Sequence, residues 1–84
     1  MVTANEIRDY VKENLIDPAR RKGEHTITFK ASEIHKAMAL KDRHPLVCSS
    51  IDAEKFLDYA RIILVRREGP KHNSTVRWTF DLKQ

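Results

Sequence analysis

An α+β domain, three helices packed with a small antiparallel sheet, is what this sequence predicts. Three observations lead there. Apolar residues recur at helical spacing from Ile7 to Leu15 and again from Ile34 to Met38. The period changes to two between His25 and Lys30, and again from Val76, where Val76, Trp78, Phe80 and Leu82 alternate with Arg77, Thr79, Asp81 and Lys83. Turn formers separate these stretches: Asp17-Pro18, Gly23, Pro45, and the run from Glu68 to Ser74.

Taken in order, Thr3-Ala4-Asn5-Glu6 reads as a capping box, with the Thr3 hydroxyl and the Glu6 carboxylate each accepting the other residue's amide. The helix it opens runs from about Ala4 to Ile16 and ends at Asp17-Pro18. Ala19 to Glu24 is a basic connector. A short strand follows from His25, with Ile27 and Phe29 on one face. Ser32 is the predicted N-cap of the next helix, which stops near Leu40 or Lys41. His44 precedes a proline and is pushed out of the α region, while Pro45 suits the first turn of a further helix, Pro45 to Ala60. Its core candidates Val47, Ile51, Phe56, Leu57 and Ala60 do not follow one stripe, so a kink is expected near Ile51 to Ala53, with Asp52 capping the new turn. Arg61 to Arg67 is a second strand, and its successive aliphatics Ile62 to Val65 predict burial on both faces or a central position. The alternating segment closes a hairpin with it.

Eighty-four residues make one domain, 1–84, with a single modest core. A hydrophobic content of 40% with 33% charged residues fits a soluble globular chain. No apolar run is long enough to span a membrane and no signal pattern opens the chain, so a cytoplasmic protein without membrane partners is expected. Cys48 is the only cysteine, which excludes an internal disulfide or a cysteine-based zinc cage and suits a reducing compartment. The net charge of +4 is uneven: residues 1–17 hold two basic and four acidic side chains, and residues 18–84 hold fourteen and eight. That asymmetry suits a polyanionic partner for the basic part.

Two helices joined by so short a connection form a helix-turn-helix, whose second helix commonly enters the DNA major groove. The order helix, strand, helix, turn, helix, strand, loop, strand resembles the winged-helix superfamily, helix-turn-helix domains closed by a β-hairpin. The resemblance runs from Thr3 to Leu82 and rests on element order and length, not on a residue motif. It implies that Pro45 to Ala60 is the recognition helix and Glu68 to Ser74 the wing. The chain departs from many winged-helix regulators in carrying no obvious sensing, metal or ligand domain.

The candidate DNA-binding residues follow. Lys41 and Arg43 in the turn, and Arg66, Arg67, Lys71, His72, Asn73 and Arg77 in or beside the hairpin loop, supply charge and polar groups for phosphates. On the second helix of the pair, His44, Leu46, Ser49, Ser50 and Lys55 are the residues least needed by a core, and short serine hydroxyls allow close approach to base edges. Asp52, Glu54 and Asp58 restrict such contacts to the first two turns. The plainer alternatives are a solvated charged surface and helix-tolerant serines. The expected function is a small double-stranded DNA-binding protein, a transcriptional regulator or chromosome-associated factor, acting alone or as a homodimer. The alternative is a winged-helix protein-interaction module with an incidental basic surface. Single-stranded binding ranks third, because Trp78, the only tryptophan, points inward and few aromatics remain for stacking.

His44 and Cys48, four apart, have the spacing of half a zinc site or of an imidazole-activated thiol. No second pair accompanies them, and a lone thiol beside Val47 is more often core. With no phosphate loop, no recognisable carboxylate pair and little room for a deep pocket, neither enzymatic activity nor a cofactor is expected.

Overall fold

The Thr3 hydroxyl accepts the Glu6 amide at 3.2 Å and starts helix α1, Ala4–Val11. The return arm of the capping box differs from expectation, because the Thr3 hydroxyl also donates to the Glu6 carboxylate at 3.3 Å. The structure, a computed structural model, describes residues 2–70 and 74–82. The helix does not end at Asp17-Pro18. It continues through a π-helical turn, Lys12–Ile16, into α2, Asp17–Arg21. Within the wide turn the Asp17 amide bonds to the Lys12 carbonyl, and the same two residues form a 3.0 Å ion pair. Widening just before Pro18 relieves the clash of its ring with the preceding turn, so the proline is absorbed rather than terminating the helix. At the far end, Arg20 donates to the carbonyls of Leu82 and Arg61, which ties this helix to the sheet.

Strand β1, Thr26–Lys30, leads directly into α3, Ala31–Ala37. Ser32 is not its cap; it lies inside the first turn, and the N-cap position belongs to Lys30. The cap is tertiary. The Ala31 and Ser32 amides donate to the carbonyls of Val76 (2.9 Å) and Ser74 (3.2 Å) at the end of the hairpin loop, so the orphan donors of this helix need no side chain. The helix also ends earlier than expected. Ala39 adopts φ 54°, its amide bonds to the Lys36 carbonyl and the Leu40 amide to the His35 carbonyl, the paired pattern of a Schellman C-cap.

Pro45 sits in the first turn of α4, His44–Asp52, as expected, but His44 is the first helical residue rather than being held outside the helix, and the N-cap position falls to Arg43. The predicted kink is a full break. Ala53 is extended (φ −72°, ψ 137°), and α5, Glu54–Ala60, starts anew beyond it. Ala53, not Asp52, holds the N-cap position of α5, because the Asp52 carboxylate is engaged elsewhere.

Strand β2, Ile63–Glu68, and strand β3, Arg77–Asp81, complete an antiparallel sheet of order β1-β3-β2. Phe29 and Arg67 both lie beside Trp78, and a bulge interrupts β2 between Leu64 and Arg66. The expectation that Ile62 to Val65 are buried or central is overturned. Ile62 is buried, but β2 is an edge strand on which Ile63, Leu64 and Val65 are 49%, 41% and 59% exposed. β3 takes the middle position, and the outer sheet face, where the Thr28 and Thr79 hydroxyls meet at 2.9 Å, is solvated. A run of aliphatics stays dry only when both faces are covered.

The inward side of β3 behaves as its alternation predicts: Val76, Trp78, Phe80 and Leu82 are all buried. Phe29 packs on Trp78 and Phe80 with ring centroids 5.8 and 5.7 Å apart, and Phe56 meets Phe80 edge-on at 6.0 Å. Cys48 lies in this core beside Val47. Among the described residues, no helix is long and apolar enough to cross a membrane.

Candidate nucleic-acid interface

The connection between α3 and α4 is built around two imidazoles. His35 and His44 stack with centroids 3.9 Å apart and planes 9° from parallel. The Arg43 amide, at the N-cap of α4, donates to His35 Nε2 at 3.1 Å. A histidine of the first helix thereby does what a serine or aspartate cap commonly does. The bond requires an unprotonated Nε2. Burial lowers the His35 pKa from its ordinary value, and the neighbouring His44 charge lowers it further, while Asp42 opposes both. His44 is therefore a structural partner of His35, and Cys48, one turn on, is buried. The two do not share an accessible face. Among the described residues no group of three or more His, Cys, Asp or Glu could hold a metal ion.

Lys41 and Arg43 are exposed on this connection. On α4 the expected contact residues divide. Ser49 is exposed, its hydroxyl donating to the Leu46 carbonyl at 3.2 Å. Ser50 is fully buried, and its hydroxyl donates to the same carbonyl at 2.6 Å, so it cannot meet a base edge without unpacking the helix. Leu46 is half-buried and packs against the core. Helical geometry explains the split, because α1 covers the Ser50 side of α4: Arg8 Nε donates to the Ser50 carbonyl at 2.9 Å. Lys55 lies beyond the break at Ala53, and lines a cleft with Asn5, Arg8, Asp9 and Tyr59. Glu54 and Asp58 are on that second helix too, which leaves the exposed line of α4 with one acid, Asp52.

Arg67 departs most from expectation. It clamps Asp52 through two bonds, Nε to Oδ1 at 2.9 Å and Nη2 to Oδ2 at 3.0 Å, and also donates to the Gly69 and Pro70 carbonyls. Its pKa is raised chiefly by that hydrogen bonding. Its donors are committed to holding the start of the hairpin loop against the end of α4, and it is withdrawn from the phosphate-binding set. The same pair neutralises Asp52, the acid that stood against DNA approaching α4. Sequence spacing gives no sign of it, since the partners are fifteen residues apart and meet only after the sheet forms.

Arg66 and Arg77 are exposed on the hairpin strands. Arg66 pairs with Glu68 at 3.0 Å, but with side chains 69% and 44% exposed this pair holds Arg66 weakly. Lys71, His72 and Asn73, expected at the loop tip, lie outside the described residues. Lys30 was missed by sequence reasoning; it stands opposite Arg77 in the β1–β3 register, on the solvated face. Lys41, Arg43, Ser49, Arg66 and Arg77 thus remain accessible, with the hairpin fixed to α3 by backbone bonds and to α4 by Arg67.

Compared with family models, curated proteins and solved structures, the chain matches none.

Proposed function

We propose that this chain is a winged-helix domain that binds double-stranded DNA, with the first turns of α4 toward the major groove and the β2–β3 hairpin along the backbone. In this reading it serves as a transcriptional regulator or chromosome-associated factor. The observation that carries the reading is the Arg67–Asp52 clamp at 2.9 Å, which neutralises the acid at the end of α4 and binds that helix to the base of the hairpin. The accessible cations beside that junction are Lys41 and Arg43 on the α3–α4 connection and Arg66 and Arg77 on the hairpin strands. Selection of duplexes from a random pool tests it. An enriched site is expected, on which Arg43→Ala or Ser49→Ala costs about 1–3 kcal/mol and on random DNA much less. If nothing is enriched and the variants bind as the parent does, sequence reading by α4 is wrong.

A second reading rests on a different observation. The exposed aliphatics Ile63, Leu64 and Val65 on an edge strand suit a protein-interaction module. It predicts duplex binding that is weak even at low salt, with no enriched sequence.

A further inference from the structure

Arg8 is only 9% exposed, yet no carboxylate among the described residues lies within ion-pair distance of it. Its Nε donates to the Ser50 carbonyl and its Nη1 to Asn5 Oδ1 at 3.1 Å, both neutral acceptors. No bond from Nη2 accompanies these among the described residues, and no buried side-chain nitrogen there lacks a partner, so Nη2 opens toward solvent. Arg8 lines a cleft of about 340 Å³ between α1 and α5, together with Asn5, Asp9, Lys55 and Tyr59. That volume is at the lower end of the range used by small-molecule sites.

The cleft carries charges of both signs. Lys55, on α5, forms no ion pair among the described residues and adds a second cation to the guanidinium. Asp9 supplies one carboxylate, oriented by the Tyr59 hydroxyl, which donates to Oδ1 at 2.6 Å; that bond raises the tyrosine pKa. A buried guanidinium without a carboxylate has lost hydration that neutral acceptors only partly replace, and a planar carboxylate matches its remaining donors. A phosphate dianion would meet repulsion from Asp9. An ammonium group alone would meet two cations.

We propose that this cleft binds a small zwitterion of the α-amino carboxylate class, with its carboxylate on Arg8 and Lys55 and its ammonium on Asp9. The site stands independently of the DNA-binding reading, since neither Lys41, Arg43, Arg66 nor Arg77 belongs to it. Because Arg8 also holds the Ser50 carbonyl of α4, the occupied cleft abuts the helix assigned to base reading.

NMR titration of the full chain with alanine, acetate, methylammonium and inorganic phosphate at matched ionic strength tests the proposal. Alanine should give saturable shifts at Arg8 Nε–H, the Asn5 side-chain amide and the Tyr59 ring, with the other three probes binding several-fold more weakly. Arg8→Ala removes a bond to α4 and risks unfolding, so the exposed partners are the informative variants. Lys55→Ala should weaken alanine binding about tenfold, the scale of one charge-assisted contact. Asp9→Asn should bring alanine and acetate to the same affinity. Absence of saturable shifts with alanine overturns the proposal, as does phosphate or acetate binding the parent equally well, or Lys55→Ala binding alanine unchanged.

Discussion

The indole of Trp78 donates to Asp52 Oδ1 at 2.7 Å, and that carboxylate is also the one that Arg67 clamps. One acid at the end of α4 thus satisfies the buried indole of the central strand and fixes the edge strand of the hairpin. Its loss would strand two donors at once. Asp52→Ala is expected to destabilise the fold by about 2–3 kcal/mol, the scale of leaving the buried indole without its acceptor together with the loss of partly exposed charge-assisted bonds. Asp52→Asn should cost less, since the amide oxygen still accepts from one partner. Urea unfolding of both variants checks this ordering; equal stability of Asp52→Ala and the parent would remove the clamp from the account.

Acid should weaken the α3–α4 junction before it titrates most carboxylates. The His35 pKa is lowered in the folded state below its ordinary 6.5 by burial and by His44, so the unfolded chain binds the proton more readily. The stability that neutral His35 confers is therefore fully present above about pH 6.5 and is lost as pH falls through its folded value. Unfolding midpoints measured from about pH 7.5 down to pH 5 should fall. In His35→Asn the fall across this window should flatten, and an unchanged profile would contradict the Arg43 amide–His35 cap.

Ala39 holds the left-handed C′ position of α3 at φ 54°, where a side chain is disfavoured. Ala39→Gly should stabilise the protein by up to about 1 kcal/mol, read as a shift in denaturation midpoint. A loss of stability would mean that backbone strain at this turn is outweighed by the glycine's greater freedom in the unfolded chain.

Gly69 is the opposite case. It lies at φ 102°, and a Cβ there would stand 3.1 Å from the Val76 Cα across the hairpin. Gly69→Ala should cost about 1–3 kcal/mol through backbone strain and crowding. The same measurement made on Gly23→Ala isolates the crowding, because Gly23 shares a positive φ of 79° but a Cβ there meets nothing within 4 Å.

What the sequence revealed and what it hid divide along one line. Elements with one buried face declare themselves by period: β3 alternates as its burial does, and Pro45 marks the first turn of α4 because its fixed φ suits that position. Features made by partners far along the chain were silent. Ser32 looked like a cap because the carbonyls of Ser74 and Val76 that cap α3 are more than forty residues away. Pro18 looked like a stop because nothing local announces a π turn. Arg67 and Ser50 looked available because only the folded sheet brings Asp52 to the first, and only α1 packing against α4 covers the second.

Binding of a mixed-sequence duplex across a series of salt concentrations tests the central claim most directly. If Lys41, Arg66 and Arg77 neutralise phosphates, log affinity should fall against log salt with a slope of roughly −3. Replacing Arg77 by alanine should reduce that slope by about 0.9 on every duplex. A slope near zero, or one that Arg77→Ala and Lys41→Ala leave unchanged, would contradict the account.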